Sequence, residues 1–200
     1  GDVYKRQHMH SPAEIDAHFD VWEDLSTQFN IAEMRWTPGH LSGITIELID
    51  RSINMGLGLG LHGQPYHSSA ASGGPPWRTA INSGAVAVGA GSDGARINTL
   101  NPWCIIYYMV TGKNVSGELT NADETISRYN AVRLYSSVEQ GWFTKEDDTL
   151  GGIDIGRFAD LAVLSADVFD PTVVSDEEIR KMTSVLTIVA GEIVHDAGIL

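Results

Sequence analysis

The feature that most restricts this chain is a repeat: short, continuously apolar runs alternate with segments of helical periodicity, at a spacing of roughly 25 to 30 residues. Strands are expected at Ile31 to Thr37 (stopped by Pro38-Gly39), at Gly56 to Leu61 and at Ala85 to Ala90, with a first strand ending near His8. Their apolar residues run on without alternation, as in a parallel sheet covered on both faces. Ser11-Pro12-Ala13-Glu14 has the form of a capping box with proline at the first helical position. The helix it opens places Ile15, Phe19, Trp22 and Leu25 on one face. Further helices are expected over Ile44 to Met55 (Ile46, Ile49 and Ile53 inward), Trp77 to Asn82, Pro102 to Val110 with its stop at Gly112, and Ser127 to Ser136. A closed eight-unit (β/α) barrel needs about 250 residues. Between His8 and Asp93 only four strand positions fit, so the fold expected is α/β, half of a TIM-type barrel.

The texture changes after Asp147. Asp154 to Leu164 and Val185 to Val194 read as strands and turns, with a short acidic helix from Asp176 to Met182 between them. Residues 8–146 are therefore expected to form the barrel half, and 147–200 a second, β-rich packing unit. Asp2 to Gln7 can be read by translating a transposon-end adapter used in sequencing libraries. Residues 1–7 are accordingly set aside from the fold. On that reading the natural N-terminus is missing and the compartment is unknown, cytoplasmic by default.

Composition closes several doors. The net charge of −13, from 13 basic and 26 acidic residues without a basic block, argues against a nucleic-acid partner. No apolar run approaches the length of a membrane span. Cys104, the single cysteine, sits in the apolar stretch Pro102 to Ile106 and is expected to be a packed core thiol. The seven histidines carry more information.

In a barrel the working residues stand where strands end and loops form the mouth. Read in order, the four strand ends supply His8, His40, His62 and Asp93. One histidine at a strand end is ordinarily packing. Three histidines and an aspartate at successive ends make a pattern, because imidazoles suit zinc and a nearby carboxylate can take a proton from a metal-activated water.

Arg35-Trp36-Thr37-Pro38-Gly39-His40, Gly91-Ser92-Asp93, Asn101-Pro102-Trp103 and Ile155 to Leu164 together resemble the amidohydrolase superfamily, closest to the branch of N-substituted formamide deformylases. The resemblance covers about residues 8 to 198 and implies that 8–146 is the C-terminal half of the barrel (strands 5–8) and 147–200 the C-terminal part of a small β-sandwich domain. It implies a zinc- or other divalent-metal-dependent hydrolase of amide-type, non-peptide C–N bonds in small molecules. It implies that His8 and His40 bind the metal, and that Asp93 both touches it and shuttles the proton of the attacking water. His62 is expected to polarise the substrate. The family's first-strand His-x-His pair and fourth-strand ligand have no counterpart. His8-Met9-His10 imitates that pair, but Asp93 then follows too soon for the intervening units. His8 is assigned to the fifth strand, and His10 to the pocket wall. A fragment so divided is expected to bind zinc weakly and to turn over amides poorly.

Two other function classes compete: a catalytically silent fragment or binding module, and a nucleotide-binding protein. The second draws on Gly89-Ala90-Gly91-Ser92-Asp93-Gly94 and Gly58-Leu59-Gly60-Leu61-His62-Gly63, both G-x-G-x-x-G after an apolar run. The dinucleotide fingerprint needs a helix opening at once to face the pyrophosphate. Neither sequence supplies one. His18, His67 and His195 are expected at solvated positions, and Asn114-Val115-Ser116 is a glycosylation sequon by pattern alone.

Overall fold

The computed structural model of the chain describes residues 6–68 and 73–200. Four parallel strands, β1 (Arg6–Met9), β2 (Thr37–His40), β3 (Leu59–His62) and β4 (Val88–Gly91), stand side by side in chain order. Each is followed by a returning helix: α1 (Pro12–Ser26), α2 (Ile46–Asn54), α3 (Trp77–Asn82) and α4 (Pro102–Thr111). A doubly wound sheet would break strand order at a switch point. Unbroken order with a helix after every strand is the arc of a (β/α) barrel, here four units of the eight. Of the segment set aside at the N-terminus, residues 1–5 lie outside the described residues. Arg6 and Gln7 pair with Thr37 and Pro38 in the sheet.

The helices begin and end for local reasons. The Ser11 side chain accepts from the Glu14 N–H, while the Glu14 carboxylate reaches past Ser11 to the His10 N–H. Ile15, Phe19 and Trp22 then bury against the sheet. Thr45 caps α2, Asn101 caps α4, and α4 stops at Gly112, whose φ of 67° is left-handed. Ser127 caps α5 (Arg128–Ser136), and a short α6 (Val138–Trp142) follows.

Several expectations are corrected. Residues 31–35 are turn rather than strand, and β2 runs through Pro38 and Gly39 instead of stopping there. Arg35, at φ 56°, is in a conformation no strand accommodates. β3 and β4 likewise start later than the apolar runs suggest. In α2, Ile49 is buried as expected, but Ile46 is 64% exposed and Leu48 fills the core in its place. Two glycines make room for aromatic rings: a Cβ at Gly58, just ahead of β3, would stand 2.5 Å from Trp142, and one at Gly89 in β4 2.4 Å from Phe143.

The C-terminal region folds as an antiparallel sheet, β5 (Leu161–Leu164), β6 (Ser184–Val189) and β7 (Glu192–Asp196), in that order. The strand expected from Asp154 shrinks to its last four residues. The acidic helix is a 3-10 segment, Asp176–Lys181. Val168, Val174, Ile179 and Met182 join the main core. Arg128 fastens the same region by donating to the carbonyls of Val168 (2.8 Å) and Val174 (2.7 Å). Among the described residues, no helix is long and apolar enough to cross a membrane.

Candidate metal centre

The parallel register carries the four expected residues to one end of the sheet. His8 is the last residue but one of β1, His40 and His62 end β2 and β3, and Asp93 follows β4 by two residues. The rings of His8 and His40 lie 3.9 Å apart, and those of His40 and His62 4.2 Å. One candidate ligand atom from each of His40, His62 and Asp93 lies within 4.8 Å of the others. His8, His10 and His40 satisfy the same condition. His40 belongs to both groups and is the centre of the cluster.

His40 arrives there against its register. It pairs with Met9 on one side and Leu61 on the other, both fully buried against the helices. Strand alternation would send its ring to that face. Left-handed backbone at His40 (φ 74°) and Leu41 (φ 58°) ends the strand abruptly and accompanies the ring to the mouth, beside His8 and His62. Asp93 is left-handed as well, at φ 58°. Such conformations on residues other than glycine cost on the order of 1 kcal/mol or more and cluster at functional sites. Gly91 leaves room for the neighbouring imidazole, since a Cβ there would press to 3.1 Å from His62 Cδ2. The loops after β3 and β4 are tied together by Gly63 N–H to the Gly91 carbonyl (2.7 Å) and Asn98 Nδ2 to the Gly63 carbonyl (3.2 Å).

Burial and the neighbouring rings of His62, His8 and His10 push the His40 imidazole down to about 4, against a smaller opposing pull from Asp93. At neutral pH it is therefore the uncharged, metal-binding form. His40 Nδ1 is buried and without a hydrogen-bond partner among the described residues. A buried polar atom in that position calls for an explanation, and an ion is one of the few available. Imidazole nitrogens with one carboxylate are a donor set that zinc accepts. The residues present fit a divalent transition metal.

His10, expected in the pocket wall, is drawn into the cluster, with its ring 4.4 Å from those of His8 and His40. Period-two alternation with His8 was the signal for it. The remaining histidines stand elsewhere. His67 is exposed against Tyr66, His18 bonds through Nδ1 to the Glu14 carbonyl on its own helix, and His195 lies exposed on β7. Cys104 is half-buried, and burial raises its thiol above the usual range. Asn114 is buried and spends its amide on Ser68, Ser116 and Glu118, an internal role that leaves no room for a glycan. No helix opens after Gly94 until Pro102, and Gly63 is followed, against expectation, by a 3-10 segment (Gln64–His67), but one of four residues is not the helix that the dinucleotide reading needs.

The family model for the amidohydrolase family matches residues 4–195. No curated protein sequence matches. Among solved structures, a mutant atrazine chlorohydrolase from Arthrobacter aurescens TC1, complexed with zinc and atraton, superposes with TM-score 0.69 at 18% identity over 98% of this chain and 44% of its own. An adenosine deaminase from Xanthomonas campestris with bound zinc gives 0.64 at 18% identity, over 98% of this chain and 46% of its own. An uncharacterized metal-dependent hydrolase from Pyrococcus furiosus gives 0.58 at 17% identity, over 78% and 32%. The chain thus spans less than half the length of each of these proteins.

Proposed function

The chain belongs to the amidohydrolase family, and from that premise we propose that its strand ends form one side of a metal-dependent hydrolase site acting on amide-type, non-peptide C–N bonds of a small molecule. The observation that carries this reading is the meeting of His8, His40, His62 and Asp93, from four successive parallel strands, at one mouth. Topology alone brings neighbouring strand ends together; what points to a metal is that they carry three imidazoles and a carboxylate, with His40 turned into the cluster against its register.

His8 and His40 would hold the ion through neutral imidazole nitrogens, with Asp93 beside it. When bound, a divalent metal such as zinc acidifies a water towards neutrality and polarises a carbonyl. Asp93 accepts a proton from the attacking water and delivers it to the leaving nitrogen, which cannot depart as an anion. His62, across the same cleft, donates a hydrogen bond to the carbonyl oxygen as charge builds there. The left-handed turn at Asp93 holds its carboxylate in place before substrate arrives, so less reorganisation remains for the reaction itself.

Because the similar structures are more than twice as long, we assign turnover to these residues within a closed barrel, with the facing strands supplied beside β1. The test is hydrolysis of N-formyl and N-acyl amines by the zinc-loaded chain, alone and joined to a family N-terminal barrel half. The joined protein should turn over, and Asp93→Asn should retain zinc while losing about 10²- to 10⁴-fold in kcat. Undiminished turnover by Asp93→Asn would remove the aspartate from the mechanism.

A further inference from the structure

His8, Met9 and His10 run through the end of the first strand. Alternation sends Met9 into the core, where it is fully buried, and leaves both histidines exposed on the other face. The three rings of His8, His10 and His40 form a nearly regular triangle with sides of 4.4, 4.4 and 3.9 Å. They are tilted by 53° to 83°, so none stacks flat on another. A ring nitrogen from each lies within 4.8 Å of the other two. The His10 backbone is independently fixed, its N–H donating to Glu14 Oε2 at 2.9 Å at the start of α1. The ring is therefore presented from an anchored strand end.

We propose that His10 is a metal donor, completing with His8 and His40 an all-imidazole set for a divalent transition ion that differs in composition from the His40–His62–Asp93 set. This rests on the reading of His8 and His40 as metal donors. Three neutral nitrogens favour zinc, copper, nickel or cobalt over the oxygen-seeking magnesium and calcium. Zinc–nitrogen bonds of about 2.0–2.1 Å in a tetrahedral site bring donors to roughly 3.4 Å of one another. Small ring rotations cover that difference. With His10 as third nitrogen the set is complete without Asp93, whose carboxylate stays available for the proton.

The test titrates the 200-residue chain with zinc and, separately, cobalt(II), against a competing chromophoric chelator. His10→Ala should weaken both ions by about tenfold or more, while His67→Ala, at an exposed position away from the cluster, stays close to the unsubstituted chain. His10→Cys supplies a readout that a packing role would not move: its cobalt form should gain a thiolate-to-cobalt charge-transfer band. That variant also decides the matter if His10→Ala fails to fold, as circular dichroism would reveal. Unchanged affinity in His10→Ala with loss in His62→Ala or Asp93→Ala would overturn this inference and leave the hydrolase reading standing. A His10→Cys protein that binds cobalt without the band would overturn it too. A chain that binds neither ion would overturn the inference directly, and turnover by the joined protein would then show whether the hydrolase reading falls with it.

Discussion

At Asp93 a single backbone angle and a single carboxylate do different work, and substitutions can separate them. The residue sits at φ 58°, where asparagine and aspartate are tolerated and a side chain with nothing to bond its own backbone is not. Asp93→Asn should match the unsubstituted protein within about 0.5 kcal/mol in urea unfolding, while Asp93→Ala should lose roughly 1 kcal/mol. The proton-accepting function proposed for it would disappear in both. Equal stability of the two variants would mean that the left-handed turn is not held in solution. His40 poses the complementary problem, since its φ of 74° and its buried, unpartnered nitrogen both cost stability in the absence of an ion. Adding zinc should raise the melting temperature in proportion to the logarithm of free zinc above its Kd. The rise should be abolished in His40→Ala. A zinc-dependent rise of equal size in that variant would place the ion elsewhere.

The elements that carry these residues depend on contacts across the sheet. Phe143 lies where a Cβ at Gly89 would stand 2.4 Å from its ring, so Gly89→Ala should cost about 1–3 kcal/mol by overpacking and displace β4, which leads to Asp93. A chemical denaturation midpoint unchanged from the unsubstituted protein would refute that packing. The turn before β2 is tied to the segment after α6 by Arg35, which donates to Asp147 at 2.5 Å and to the Trp142 carbonyl at 2.9 Å. The guanidinium hydrogen bond holds the Asp147 carboxyl below its ordinary range. The pair's contribution is therefore complete above the ordinary carboxylate range, near 3.9, and is lost as pH falls through the lowered folded value. For two partly exposed groups it amounts to about 0.5–1 kcal/mol, and Asp147→Asn should flatten that part of the acid limb of a stability–pH curve. These contacts also mark where sequence reading stops. The order of strands and helices was legible because apolar runs and caps such as Ser11 and Ser127 are local signals. The mouth residues were legible because barrel topology puts strand ends together. The packing role of Gly58 and Gly89 has no local signal, since the rings of Trp142 and Phe143 that need them come from far along the chain. The extent of β2 was misread for the same reason, because the left-handed backbone at Arg35 and His40 has no signature in side-chain type. His10 was visible as an alternation partner of His8, but its approach to His40 depends on that turn.

Taken whole, the molecule sets a large like-charge repulsion against a considerable apolar surface. Its formal charge is −13. The parallel sheet has an open edge at β1 and another at β4 among the described residues. Ile193 and Val194 on β7 are 54% and 60% exposed, and Ile155 and Phe158 ahead of β5 are exposed as well. Apolar faces and unpaired edges are templates for association, which net charge opposes at low ionic strength. Salt shortens the range of that repulsion, to about 10 Å at 0.1 M and about 3 Å at 1 M, and leaves the hydrophobic attraction in place. The 200-residue chain should therefore sediment as a smaller species in dilute buffer and shift to larger, concentration-dependent species as sodium chloride rises towards 1 M. Replacing Ile193 and Val194 by threonine retains β-branched residues suited to a strand while removing apolar surface. That double variant should weaken the salt-induced shift without altering the zinc response of the mouth, which lies on the other sheet. A chain that remains one species across the whole salt range would show that these surfaces are too divided, or too well guarded by neighbouring carboxylates, to hold a second copy.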